Sequence, residues 1–321
     1  MVHQRGMVIV LATTITILII ASRRKGRISI ISYMSTLVLG LLIDMYISKW
    51  QKMYVYASAV LEHNTLADFL QPEIYQKMFT LKGIEAVITP FAGWNYNCTC
   101  STFGLAVVGL CLMLGTVVRF VKDKEHKEVE EIIVIQGSVC FLGSLVLGLL
   151  FFFQSSYGYL HGTQVNRCDH LLFGRYVESS VPMLFYYALI KMHRKYENRK
   201  VLNIAWILYA SMFIIVSVRI LSLMRNVNCY VHSLISMNMF MNTTSVTKTL
   251  DTIPNYTSAL FLFGIVSMAL SLLIKIIYKN KMKSVYLLIG TFFVYNAQYY
   301  LSDGKIQQSC GFTNKLAVNK K

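Results

Sequence analysis

The densest group of side chains that could do chemistry lies between residues 166 and 180, just before an apolar stretch. Five of these side chains can carry a charge or bind phosphate, and they fall within ten residues: Asp169, His170, Arg175, Tyr176 and Glu178. The planar guanidinium of an arginine binds phosphate through paired hydrogen bonds. The pattern therefore predicts a phosphate site with Arg175 as its main donor. A salt bridge between Arg175 and Glu178 that only orients the segment explains the same residues equally well.

Long apolar stretches make up most of the remaining chain, which is 55% hydrophobic and 14% charged over 321 residues. About 20 apolar residues cross the hydrocarbon core of a bilayer, where only a helix satisfies its own backbone. The sequence predicts an all-α, polytopic transmembrane helix bundle of about eight spans, with a partly helical outer loop over residues 49–101 and a short basic tail over residues 301–321. The predicted spans lie near residues 7–22, 28–48, 102–121, 132–154, 179–191, 201–221, 256–276 and 285–300.

The basic residues indicate how these spans are oriented. Lysines and arginines concentrate in four short connectors, which follow alternate predicted spans: residues 23–27, 119–127, 191–200 and 275–283. Such alternation is the positive-inside pattern, so we expect these connectors in the cytoplasm and both termini outside, in a multi-pass protein of the cell membrane. The formal charge of +16 is thereby explained by anionic head groups, and no nucleic-acid partner is predicted. Arg219 and Arg225 flank the outer end of one span, where snorkelling explains them.

The remaining candidates for binding or cross-linking give weaker predictions. His161 and His170 do not have the spacing of a metal pair, so neither a metal nor a cofactor is predicted. Five cysteines fall in predicted outer segments, where an oxidising compartment would allow them to pair, and their pairing stays open. These are Cys98, Cys100, Cys168, Cys229 and Cys310.

The polar segment resembles part of a known family of membrane enzymes. The sequence Asp169-His-Leu-Leu-Phe-Gly-Arg-Tyr-Val-Glu178, followed by an apolar helix near Pro182, resembles the Gly-Arg-Tyr-x-Glu region of C-type integral-membrane glycosyltransferases. Residues 101–105, at the start of a span, also resemble the layout of the later half of these enzymes. The resemblance covers roughly residues 90–200. It implies transfer of a sugar from a polyprenyl-phosphate donor to an acceptor outside the membrane, and it assigns Arg175, His170, Tyr176 and Glu178 to the donor phosphate.

One departure from that family concerns the catalytic carboxylate. Enzymes of this type place it in a first outer loop, and no outer loop precedes the first predicted span here. Asp169 and Asp44 are the candidate bases that the sequence offers. Asp44 falls within a predicted span, where an ionisable group is a candidate for function, although pairing with Lys49 or capping a helix explains it too. We therefore expect a chain that resembles the carboxy-terminal part of such an enzyme.

Three hypotheses about function follow from the sequence. The first is a membrane enzyme of cell-envelope polysaccharide assembly that transfers a hexosyl group from a polyprenyl-phosphate sugar and contacts membrane lipid. The second is a transporter or flippase of envelope precursors, or a non-enzymatic membrane partner, for which ionisable groups or broken helices near the bilayer midplane would be expected. The third is an inactive remnant of the enzyme.

Overall fold

The computed structural model describes residues 4–24, 27–54, 72–122, 129–162, 168–172, 177, 180–194, 199–224, 256–278 and 290. These residues form helices and the turns between them, and no strand occurs in the described part of the chain. The expected all-α class is therefore confirmed. The first helices are α1 (Gln4–Arg24), α2 (Arg27–Tyr54), α3 (Pro72–Met78), α4 (Leu81–Ser101), α5 (Leu105–Lys122) and α6 (Val129–Leu160). A 3-10 turn (Cys168–Leu171) follows, then α7 (Val181–His193), α8 (Arg199–Ile215), a π-helical segment (Val216–Ile220), α9 (Leu221–Met224) and α10 (Tyr256–Tyr278).

Several of these helices are suited to a membrane. Glu131–Leu160, within α6, and Lys200–Met224, which runs from α8 to α9, are each long and apolar enough to cross a bilayer. A third candidate is a broken one, because α4 and α5 pass the same test together but are bent by 111° at their junction. The described residues thus contain two or three candidate spans, and they indicate association with a membrane. Shorter apolar helices lie at Ile9–Ile19, Ile30–Ile43 and Leu260–Ile276.

The chain divides into two compact units. Unit 1 comprises the described residues of Met1–Lys77 and Met113–Phe151, and unit 2 those of Met78–Leu112 and Phe152–Lys321. In unit 1, hydrogen bonds between side chains join apolar helices: Tyr33 and Thr14 hydroxyl oxygens lie 2.9 Å apart, and the Gln136 amide donates to Thr13 over 3.2 Å. In an apolar environment, such bonds satisfy polar groups that would otherwise be costly to bury.

Helix α4 forms the centre of unit 2. It is nearly continuously buried from Ala92 to Cys100, and Trp94 and Tyr96 are among the largest fully buried side chains. The sequence analysis placed these residues at the end of the partly helical outer loop. Two polar side chains of this stretch bond to the preceding turn of the helix. The Asn95 amide donates to Phe91 O at 2.8 Å, and the Thr99 hydroxyl donates to Asn95 O at 2.6 Å.

The junction of α4 and α5 is a tight turn at Thr102–Gly104. Gly104 has φ +82°, and a Cβ there would overlap the hydroxyl of Ser271, so glycine is required for both conformation and space. Thr102 closes both helix ends, because its hydroxyl donates to Cys98 O at 2.9 Å and accepts from Ala106 N at 3.0 Å. Thr102 thus pairs polar backbone groups that the break would leave without partners.

Candidate functional site

The polar segment identified in the sequence enters the core of unit 2. Cys168, Leu171 and Leu172 are buried, and the latter two have no exposed surface. The segment lies against α4, where a Cβ on Gly93 would overlap the carbonyl oxygen of Leu171 and crowd the side chain of Ile220. A 3-10 turn is thus held at the centre of the unit by two leucines and by close approach to a glycine.

His170 is the one predicted phosphate-binding residue whose side chain the structure describes, and it is fixed from three sides. Its carbonyl oxygen accepts the Trp94 indole N–H at 2.8 Å. Its ring nitrogen Nδ1 lies 3.3 Å from the hydroxyl of Tyr159, and its ring centroid lies 5.2 Å from that of Phe152. The 3-10 turn thus presents an imidazole whose orientation is set by α4 and by the end of α6.

A charged cluster lies in the same unit. Arg219 forms an ion pair with Glu85 of α4, and Nε2 of His161 lies 4.0 Å from the Glu85 carboxylate. His161 is held in turn by the carbonyl of Lys82, at 3.3 Å, and by ring contact with Tyr157 at 4.7 Å. The side chains of Glu85 and His161 are 29% and 16% exposed and that of Arg219 is 53% exposed. The cluster is therefore half-buried, with Arg219 as its most exposed member.

The π-helical segment brings the cluster and the turn together. Val216–Ile220 carries Arg219, which reaches Glu85, and Ile220, which packs beside Gly93 and Leu171. The wide turn inserts one extra residue into a helix and changes which face the following side chains occupy, and such turns are frequent at functional sites. Adjacent residues of one short segment therefore contact both the charged cluster and the buried turn.

This arrangement combines three chemical capabilities. A guanidinium binds an anion such as phosphate, a carboxylate accepts a proton, and an imidazole does either according to its protonation state. Glu85 and Trp94 are nine residues apart on α4, which corresponds to roughly 13 Å along the helix axis. The charged cluster and His170 could thus contact different parts of one extended ligand.

The side chains of the other predicted site residues are not among those that the structure describes. Asp169 belongs to the 3-10 turn and Asp44 to α2, but their side chains lie outside the described residues. Arg175, Tyr176 and Glu178 also lie outside them.

Sequence reasoning missed Glu85 as a member of the site and interpreted Arg219 as a snorkelling side chain. One signal was present: Glu85 is the only charged residue in an otherwise apolar run from Gly83 to Phe91. An ionisable group in such a run requires a partner, but the sequence alone does not identify the partner residue.

A second group of polar side chains is fully buried and serves packing. The Cys100 thiol lies 3.2 Å from the Tyr209 hydroxyl, and Ser267 donates to Cys100 O at 2.9 Å. Tyr96 donates to Leu260 O at 3.3 Å. Cys98 and Cys100, which the sequence analysis placed in an outer segment, both lie on α4 within this core. Because the partners of Cys100 are supplied by α8 and α10, the network ties three helices together.

The Trp94 hydrogen bond gives a first testable prediction. Trp94→Phe should lower the thermal stability of the purified protein, because it leaves the buried carbonyl of His170 without its donor at a cost of about 1–3 kcal/mol. Trp206→Phe is the matched control, since the buried indole nitrogen of Trp206 has no hydrogen-bond partner among the described residues. In detergent without anionic lipid, thermal denaturation should separate the two variants. Equal losses of stability would show that the hydrogen bond from Trp94 to His170 does not anchor the turn.

Comparison of the whole chain with protein families, with curated proteins and with solved structures finds no match to any of them.

Proposed function

We propose that this chain is a multi-pass membrane protein that transfers a sugar from a polyprenyl-phosphate carrier to an acceptor on the outer side of the membrane. One observation carries the proposal. The segment that resembles the Gly-Arg-Tyr-x-Glu region of C-type glycosyltransferases begins with a buried 3-10 turn. The π-helical segment that contacts this turn through Ile220 also carries Arg219 of the Glu–Arg–His cluster. A lipid-linked sugar needs such a site, where phosphate and acceptor meet next to hydrocarbon.

The proposed topology has about eight spans with both termini outside. The apolar helices of the structure support a membrane location. The four basic connectors of the sequence support the orientation, which places residues 155–178 and the start of α4 on the outer side. Lipid-linked sugars that serve envelope assembly are consumed on that side in the proposed reaction.

The proposed roles follow from the chemistry of glycosyl transfer. A carboxylate takes the proton of the acceptor hydroxyl as its oxygen attacks the anomeric carbon. The carbon–oxygen bond to phosphate then breaks, and polyprenyl phosphate leaves with the bonding electrons. Arg175 and His170 are placed at the leaving phosphate. We assign the base to Glu85 in preference to Asp169 and Asp44, because Glu85 is oriented by two partners and is partly exposed.

The proposal is tested at Arg175. The full chain in lipid nanodiscs is incubated with a polyprenyl-phosphate hexose and an acceptor glycan, and release of polyprenyl phosphate is measured. Arg175→Ala should slow release by roughly 100-fold or more, as expected when a donor to a developing anion is removed. Arg194→Ala, at the opposite end of α7 from the polar segment, should leave the rate unchanged. Equal rates for the two variants would exclude Arg175 as the phosphate donor.

A second candidate function is translocation of the lipid-linked precursor. It is favoured by the 111° break between α4 and α5, since discontinuous helices line the substrate sites of many transporters. The two functions differ in their product. A flippase moves the labelled lipid-linked sugar intact across a proteoliposome membrane, whereas the transferase releases polyprenyl phosphate. Movement of intact donor without release would favour translocation.

A further inference from the structure

A narrow apolar cleft in unit 2 lies away from the proposed catalytic site. Its walls come from the start of α5, the end of α7, α8 and α10, and its volume is about 340 Å³, including the part that is open to the surroundings. The apolar residues that define it are Phe103, Val108, Met192, Leu202, Trp206 and Ile274. Most of that volume is open to the surroundings, so a hydrocarbon chain would lie along the cleft and not inside it.

Three polar side chains lie in the wall of the cleft: Trp206, Ser271 and Lys275. Lys275 donates one hydrogen bond to Asn203 over 2.9 Å, and an ammonium group has three donors. The indole nitrogen of Trp206 is buried and has no acceptor within the described part of the chain. A buried donor without an acceptor is unfavourable by itself, and ligands are one common source of the missing partner. Lys275 and Trp206 therefore offer donors to a ligand in the cleft.

Among the described residues, the charged side chains on the helices that line the cleft are all basic. Helices α5, α7, α8 and α10 contain no aspartate or glutamate, whereas basic residues occur where these helices end or begin near the cleft. They include Lys191 in the last turn of α7 and Lys200 in the first turn of α8. Basic pockets between membrane helices on the cytoplasmic side bind anionic lipid head groups. The connectors at residues 191–200 and 275–283 predict that the ends of α7 and α10 beside the cleft face the cytoplasm. The start of α5 lines the same cleft, so it lies on that side as well, unlike in the predicted topology, where the span 102–121 begins outside.

We propose that this cleft binds one anionic phospholipid. An acyl chain occupies the apolar wall formed by Val108, Met192 and Leu202, and the head-group phosphate or an ester oxygen accepts from Lys275 and Trp206. Inorganic phosphate alone would leave the apolar wall empty, and a zwitterionic lipid would present a cation to Lys275. The proposal rests on the membrane location and not on sugar transfer, so it goes beyond the proposed function.

Native mass spectrometry of the full chain in detergent tests the proposal. The protein is titrated with phosphatidylglycerol and, separately, with phosphatidylcholine of identical acyl chains. We expect one tightly bound phosphatidylglycerol and no tight adduct with phosphatidylcholine. Lys275→Gln should weaken phosphatidylglycerol binding roughly fivefold, the effect expected for one cation near an anionic head group. Trp206→Phe should weaken it as well, because the indole donor is lost.

Lys82→Gln is the matched control, since it removes the same charge at the far end of α4 and should retain wild-type binding. A rise in thermal stability on adding phosphatidylglycerol, present in the wild type and reduced in Lys275→Gln, provides a second readout that does not depend on ionisation in the spectrometer. Equal weakening by Lys82→Gln and Lys275→Gln would show nonspecific attraction and overturn the assignment. Equal binding of the two lipids would overturn it as well.

Discussion

Replacing Glu85 by glutamine should lower sugar transfer by roughly 100- to 10,000-fold, the usual contribution of a general base. The substitution preserves the shape of the side chain and removes its ability to accept the acceptor proton. The measurement is release of polyprenyl phosphate by the variant in nanodiscs under saturating donor. Binding of the donor should change much less, because in this proposal the carrier phosphate contacts Arg175 and His170.

The matched control is Glu73→Gln in α3, which removes an exposed carboxylate. We expect no change in rate for this variant. Retention of more than half of the wild-type rate by Glu85→Gln would exclude Glu85 as the base and return the assignment to Asp169 or Asp44.

A charge exchange separates catalysis from folding. In Glu85→Arg two cations face each other, so thermal stability should fall; in the double variant E85R/R219E the ion pair is restored with reversed direction. Stability should then recover while transfer stays low, since the carboxylate is attached to a different helix and lies at a different position. Recovery of both properties would mean that the pair is structural only.

Adding a single methyl group at Gly93 should destabilise unit 2. Gly93→Ala places a Cβ onto the carbonyl of Leu171 and close to Ile220, where backbone must move. Overpacking of this kind costs roughly 1–3 kcal/mol. We expect a lower melting temperature together with loss of transfer, because the turn that carries His170 is displaced from α4.

Two other glycines make the test specific. A Cβ at Gly115 of α5 meets nothing within 4 Å, so Gly115→Ala should be neutral or stabilising by up to about 1 kcal/mol through helix propensity. A Cβ at Gly109 would overlap the backbone of Leu184 in α7. Gly109→Ala should therefore lower stability without displacing the turn. Thermal denaturation of the three variants tests the contact between Gly93 and Leu171. A Gly93→Ala protein as stable as Gly115→Ala would contradict that contact.

The sequence by itself determined the class of this protein. Apolar runs the length of a span can bury their backbone polar groups only as helices, so an all-α membrane-associated chain followed from hydropathy alone. The sequence also indicated residues 166–180 as a candidate functional segment, and His170 within it lies in a buried turn. These features depend on local composition and spacing, which are readable residue by residue.

The tertiary structure decided which distant residues meet. Glu85 and Arg219 are separated by more than 130 positions, and a hydropathy pattern contains no information about which cation reaches an isolated carboxylate. The sequence analysis also did not identify helix α4 as part of the core. The sequence analysis assigned residues 49–101 to an outer loop, because the burial of α4 against other helices becomes visible only once the chain is folded.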